Sequence, residues 1–165
     1  MTRRDFFKSF KINKKLDVRE HSQPVRPPYS KEDETFSLCA TCPGNCVTAC
    51  QTKVISLLDD KSPYMNYESG GCVFCGDCAK ACDKQVLSLS RPAVIHGLAE
   101  LNIDSCAAWK QIACDSCMTV CEPLAIFFYS LFNPKIDTNS CTACGFCVRA
   151  CHDKALTVIT FGEKK

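Results

Sequence analysis

Sixteen cysteines fall into four groups of four, at Cys39 to Cys50, Cys72 to Cys82, Cys106 to Cys121 and Cys141 to Cys151. A thiolate can bind zinc, bind an iron–sulfur cluster or close a disulfide, so spacing has to choose among three chemistries. The second group reads Cys72-x2-Cys75-x2-Cys78-x3-Cys82 and the fourth Cys141-x2-Cys144-x2-Cys147-x3-Cys151. Both match the bacterial [4Fe–4S] run. Three thiolates two residues apart can wrap three corners of one cubane, with backbone amides turned towards its sulfides. The fourth lies beyond, at the start of a helix, and in two-cluster ferredoxins it ligates the other cluster. A zinc site usually takes two well-separated cysteine pairs, and a disulfide between such close neighbours would be strained. These two groups therefore read as [4Fe–4S] ligands.

The other groups depart from the rule. Cys39-x2-Cys42-x3-Cys46-x3-Cys50 has one extra residue, in the Pro43-Gly44-Asn45 stretch. A tight Pro-Gly turn can absorb it, and the competing reading is a distorted site that binds weakly or holds three irons. In Cys106-x7-Cys114-x2-Cys117-x3-Cys121 the first thiol reaches back across Ala107 to Ala113. Cys106 is then either a fourth ligand or a structural thiol, which leaves three or four clusters. No group has proline directly after its last cysteine; the followers are Gln51, Asp83, Glu122 and His152. His152 reads as solvated or as a neighbour of a complete cysteine set, and His96 and His21 show no metal spacing. If adjacent groups exchange fourth cysteines, Cys82 joins Cys39, Cys42 and Cys46, while Cys50 joins Cys72, Cys75 and Cys78. The third and fourth groups would exchange likewise. A nested pairing, first with fourth and second with third, stays open.

The elements that must position these thiols repeat with them. The first cysteines of the groups are 33, 34 and 35 residues apart, and each loop is followed by a helix-compatible turn and a short β-rich run. The runs are Val54 to Leu58, Val86 to Leu89, Ile126 to Tyr129 and Leu156 to Ile159. Tyr64 to Tyr67 and Pro134 to Asp137 read as strands entering the second and fourth loops, set off by turns at Asp59 to Pro63 and Asn133-Pro134. The expected fold class is α+β: small bacterial-type ferredoxin modules in tandem, nucleated by their clusters. Residues 36–95 would form one module with groups one and two, and residues 96–165 a second with groups three and four.

Residues 1–35 read as a basic, Pro-rich tail. Its first 20 residues carry seven Lys or Arg against three acidic residues. The link Gln23 to Ser30 reads as extended and poorly packed. Thr2-Arg3-Arg4-Asp5-Phe6-Phe7-Lys8 matches the twin-arginine export motif, but Lys11 to Asp17 is too charged to be its apolar region. The expectation is a basic arm with Phe6, Phe7 and Phe10 as apolar anchors, and a cytoplasmic protein whose thiols stay reduced.

The whole-chain arithmetic excludes other classes. The composition is 46% hydrophobic and 23% charged, with a formal net charge of +2, too balanced for a protein held to nucleic acid by phosphate contacts. No 18-residue apolar run exists, so no transmembrane helix is expected. Each oxidised cluster with four thiolates carries about −2, so three or four of them turn the balance to about −4 or −6.

Together these features resemble the NapF family, the ferredoxin-type accessory proteins of periplasmic nitrate reductase systems. The residues that carry the resemblance are the N-terminal Arg3-Arg4, the Arg26-Pro27-Pro28-Tyr29-Ser30 link, Phe74-Cys75-x2-Cys78-Ala79, and Cys114-x2-Cys117-x3-Cys121-Glu122-Pro123 ahead of an apolar run. The resemblance implies a cytoplasmic, non-enzymatic protein that binds the precursor of the molybdenum-containing catalytic subunit and helps mature it. Redox partner proteins are implied as well. The inserted residue in the first group departs from the family spacing. Rival expectations are a permanent electron-transfer subunit of a respiratory oxidoreductase and a cluster-based redox sensor. No Ser/His/Asp set, phosphate-cradling loop or nucleotide fingerprint points to an enzyme.

Overall fold

A computed structural model describes residues 23–30 and 33–160. The twin-arginine stretch and its phenylalanine anchors lie outside the described residues.

Every regular element is short. A 3-10 helix at Asp33–Thr41 precedes four helical turns: α1 (Asn45–Thr48), α2 (Asp77–Lys80), α3 (Ser116–Thr119) and α4 (Phe146–Ala150). Each contains the third cysteine of its group. The strands are β1 (Ile55–Leu57), β2 (Pro63–Met65), β3 (Leu98–Leu101), β4 (Ile126–Phe128), β5 (Pro134–Ile136) and β6 (Leu156–Ile159), arranged in antiparallel pairs β1–β2, β3–β6 and β4–β5.

The hairpins form where β-branched and aromatic residues flank turn residues. In β1–β2, Ile55 faces Met65 and Leu57 faces Pro63. Lys61 takes the left-handed conformation at φ 65°, and the Asp60 carboxylate accepts from the Ser62 N–H and hydroxyl at 2.9 and 2.6 Å. In β4–β5, Ile126 faces Ile136 and Phe128 faces Pro134, with Asn133 left-handed in the turn.

The cysteine loops repeat more strictly than their spacing suggests. Three residues after each fourth cysteine stand Lys53, Gln85, Leu124 and Lys154, all at φ between 50° and 55°. Each donates its N–H to the carbonyl of that cysteine, at 2.9 to 3.2 Å. The next residues, Val54, Val86, Ala125 and Ala155, are each only 1% exposed. The irregular first and third groups share this exit turn with the regular ones.

Three expectations need correcting. Val86 to Leu89 is not a strand: it makes one antiparallel bridge, Leu87 with Ser30, and the Ser88 N–H donates to the Tyr29 carbonyl at 2.9 Å. Its partner is the Pro-rich link, which is therefore packed. Val25 and Tyr29 are buried, and Pro27 and Pro28 are among the most enclosed side chains. The Arg26 guanidinium donates to the Ser62 hydroxyl and the Pro63 carbonyl, both at 3.0 Å. The link belongs to the first half of the fold. Finally, Leu98–Leu101, read as no element, pairs with β6 from Leu98↔Ile159 to Leu101↔Leu156. In both halves the segment entering the earlier cysteine group thus pairs with the run leaving the later one, around an inner hairpin.

Candidate metal centres

The loops aim the thiols inward. Gly76 and Gly145, two residues before the third cysteines Cys78 and Cys147, are left-handed at φ 80° and 83°. Phe74 and Ala143, just before the second cysteines, are left-handed too. The extra residue of the first group falls ahead of Gly44, which is left-handed at φ 85° two residues before Cys46. From that glycine onward the first loop is regular. The third group has Asp115 at the corresponding place, with φ −126°. There the Cys106-to-Cys114 insertion folds as a 3-10 turn, Ala108–Lys110, closed by the Ile112 N–H on the Ala107 carbonyl at 3.1 Å. The Trp109 indole N–H donates to the Pro134 carbonyl at 3.3 Å, and the Ala107 N–H to the Asp153 carboxylate at 3.1 Å.

The thiols gather in exchanged sets. One cavity is lined by Cys39, Cys42, Cys46 and Cys82, another by Cys50, Cys72, Cys75 and Cys78, and another by Cys121, Cys141, Cys144 and Cys147. The remaining four converge as well: Cys117 is acted on by the neighbouring Cys106, Cys114 and Cys151 thiols. Cys106 is buried and packs with Ala108 and Ala155 against Cys114 and Cys151. Each fourth cysteine thus lies with the thiols of the adjacent group, and no cavity joins the first group with the fourth or the second with the third among the described sets.

All sixteen thiols are free. Among the described residues, no three His, Cys, Asp or Glu side chains converge as ligands of a single ion. Four thiolates on one zinc would stand about 3.8 Å apart, given Zn–S bonds near 2.3 Å. Backbone donors also face sulfur: Phe74 N–H to Cys72 (3.4 Å), Leu87 N–H to Cys82 (3.4 Å), Ala99 N–H to Cys141 (3.5 Å) and Ala155 N–H to Cys151 (3.2 Å). Hydrogen bonds to sulfur are a main protein lever on cluster potential.

Burial, aided by repulsion from neighbouring thiols, pushes the central thiols up: Cys46 and Cys117 to about 11, Cys78 and Cys147 to about 12. Burial likewise lifts Cys72 to about 11, against the Phe74 N–H. Four thiols in one apolar pocket cannot all ionise without a cation between them. That is the donor chemistry of a metal centre, and the cysteine spacing selects iron–sulfur among such centres.

Two tyrosines that the spacing could not single out complete the regular sites. The Tyr29 hydroxyl donates to the Phe74 carbonyl at 2.7 Å and the Tyr67 hydroxyl to the Ala143 carbonyl at 2.8 Å. These carbonyls belong to equivalent left-handed residues. Neither tyrosine lies in a cysteine loop, so only their place in the Pro-rich link and after β2 could have drawn notice. His152 and His96 line none of the thiol cavities described here.

A model of the 4Fe-4S binding domain matches residues 134–157. The chain is 30% identical over 144 residues to the ferredoxin-type protein NapF of Escherichia coli strain K12, covering 84% of this chain and 87% of that protein. It is 30% identical over 154 residues to the ferredoxin-type protein NapG of Haemophilus influenzae, covering 78% of this chain and 55% of that one. The methylamine utilization ferredoxin-type protein MauM of Paracoccus denitrificans is 29% identical over 152 residues, covering 79% and 67%. The domain match and sixteen cysteines in ferredoxin-type spacing make this an iron–sulfur protein with multiple [4Fe–4S] clusters. With its similarity running across both halves, the chain belongs to the NapF family of ferredoxin-type proteins.

Proposed function

We propose that the chain is a polyferredoxin of two tandem modules with four [4Fe–4S] sites. Their ligands would be Cys39, Cys42, Cys46 and Cys82; Cys50, Cys72, Cys75 and Cys78; Cys106, Cys114, Cys117 and Cys151; and Cys121, Cys141, Cys144 and Cys147. The observation that carries this reading is the gathering of thiols from adjacent groups into these sets. When bound, each cluster supplies a one-electron carrier; the chain's own residues hold it, exclude water from it and direct N–H groups at its ligands. The third group counts as a full site because Cys106 is buried against Cys114 and Cys151.

The protein acts as an accessory factor for the cytoplasmic precursor of the periplasmic nitrate reductase catalytic subunit, through electron transfer or support of its cofactor assembly. Family membership supports this, as does the want of catalytic chemistry in the sequence. Its place of action is the cytoplasm, where reduced thiols favour cluster assembly. No described helix is long and apolar enough to cross a membrane. The basic N-terminal stretch would dock on a partner, its charge contrasting with a body that the clusters make acidic.

A pull-down of the anaerobically prepared, cluster-replete chain with that precursor tests the reading. Retention of the precursor is expected. No retention by protein whose clusters are intact would sink the maturation role. About 16 irons per chain are expected for four sites, by the four-iron stoichiometry of each; about 12 would return the third group to a structural role.

A further inference from the structure

We infer that the four sites form one unbranched series, in the order first, second, fourth, third set, joined across the two halves by a built junction around Tyr67. The inference rests on the four-site reading above. It makes the two regular sites the inner, mutually coupled pair and the two irregular ones the termini.

The Cys72 N–H, in the second set, donates to the Cys144 carbonyl, in the fourth, at 2.7 Å. Ala143, next to Cys144, lies in the same buried cluster as Cys78, and Cys72 packs against that cluster. Tyr67, which follows β2 in the first half, reaches across to donate its hydroxyl to the Ala143 carbonyl. It is buried, in one core cluster with Cys78 and Ala143 against which Cys72 packs.

The junction is fitted closely. A methyl group on Gly145 would overlap the Tyr67 ring, and one on Gly71 would stand 2.6 Å from the Phe146 ring. A side chain on either glycine would force a ring from the opposite half to move. Arg149 adds bonds across the seam to the Glu68 and Ser69 carbonyls at 3.4 and 3.0 Å.

Within each half, the exchanged fourth cysteines keep partner sets adjacent. Cys117 and Cys151 of the third set pack against the buried cluster that contains Cys147 of the fourth, as do Cys121 and Cys141. Cys46 of the first set shares a buried cluster with Cys78 of the second, while Cys39 is buried with Phe36 and Val86, against which Cys82 packs. Exchange across the junction is a one-electron step that leaves one site reduced and its neighbour oxidised, with no bond formed or broken. Tyr67 acts as a positioning residue, holding the two regular loops face to face.

The test uses the full chain, loaded anaerobically and titrated with dithionite, read by electron paramagnetic resonance. Iron counting comes first: fewer than about 16 irons in the unaltered protein refutes the four-site reading, whatever the coupling. In Cys46→Ala/Cys117→Ala, which leaves the inner pair, the doubly reduced state should give a broadened, fast-relaxing interaction spectrum. Cys78→Ala/Cys147→Ala, which leaves the outer pair, should give two independent signals. The reverse pattern overturns the order.

If those variants lose all their iron, the unaltered protein decides. Full reduction should give one interacting system, and Gly145→Ala or Tyr67→Phe at full iron content should weaken the interaction. Two pairs that do not communicate across the halves, or an interaction unmoved by Gly145→Ala, would overturn the junction.

Discussion

At the scale of single residues, the fourth cysteine of each group gathers with the thiols of the neighbouring group, and the proposed sites make it a ligand there. Cys82 lines the cavity of Cys39, Cys42 and Cys46, so Cys82→Ala and Cys46→Ala should strike the same cluster. Each variant alone should lose about four irons, and the double variant no more than about four, because the two changes share one site. Cys82→Ala with Cys78→Ala should lose about eight, as these thiols serve different sites. Iron and sulfide counts check both; a loss of eight in the first pair would mean that no exchange occurs. Tyr29 has a subtler role. Tyr29→Phe removes the donor to the Phe74 carbonyl, a bond worth about 1 kcal/mol. The second site should then bleach several-fold faster in air while the iron content at isolation is unchanged, as followed by visible absorbance.

At the scale of elements, the first half depends on a strap that crosses the β1–β2 hairpin. Arg26 and Asp60 meet at the fully enclosed Ser62 hydroxyl. The Asp60 carboxyl is held below its usual value, chiefly by that hydroxyl and then by the Ser62 N–H, with Arg26 adding less. Ser62→Ala should therefore lower the urea concentration at which cluster absorbance is lost. A carboxyl depressed in the folded state contributes stability above its unfolded value and loses it as pH falls through the folded one. The difference between variant and parent should be full at pH 7 and shrink below about pH 4, the unfolded range of an aspartate. A deficit that persisted unchanged in acid would assign the effect to packing alone. The strap also marks the limit of what sequence reading reaches. β6 is Leu156–Ile159 in both sequence and structure, and β1, β4 and β5 fall within one or two residues of the expected runs, because hairpins and exit turns are local. The packing of the Pro-rich link and the existence of β3 were not legible because their partners, Leu87 and Leu156–Ile159, lie more than 50 residues further on. No spacing records such pairings. The same holds for the thiol sets: every candidate ligand is legible as a cysteine, whereas the choice between adjacent and nested exchange depends on which strands pair. The tyrosines on the Phe74 and Ala143 carbonyls depend on the same nonlocal packing.

At the scale of the whole molecule, the balance between regular structure and core leaves little to hold the fold without its metal. The α-helices are four or five residues long, far below the roughly 12–15 at which an isolated helix becomes marginal in water. Each sheet has two strands of three or four residues, and a lone hairpin is marginal at best. The buried residues do not compensate independently, since each apolar cluster contains a candidate ligand: Cys46 and Cys78, Cys147, Cys39, and Cys106. Without iron, these pockets are cavities lined by thiols that burial keeps protonated, and cavities in a core cost stability. Binding free energy and folding free energy are then largely one quantity. Stripping the clusters with ferricyanide and a chelator should abolish the far-ultraviolet circular dichroism of the strands and open the chain to protease throughout residues 23–160. Anaerobic reconstitution with iron and sulfide should restore both together with the visible absorbance. An apo chain that still unfolded cooperatively in urea would show that the link, the hairpins and the Tyr67 junction suffice alone. The junction adds a gradation to this expectation. Because Cys72 and Cys144 are bonded across the halves, loss of the second or fourth cluster should loosen both halves, whereas loss of the terminal first or third should loosen one. Limited proteolysis of Cys78→Ala beside Cys46→Ala reads the difference: cleavage sites in both halves for the former, and confined to the first half for the latter.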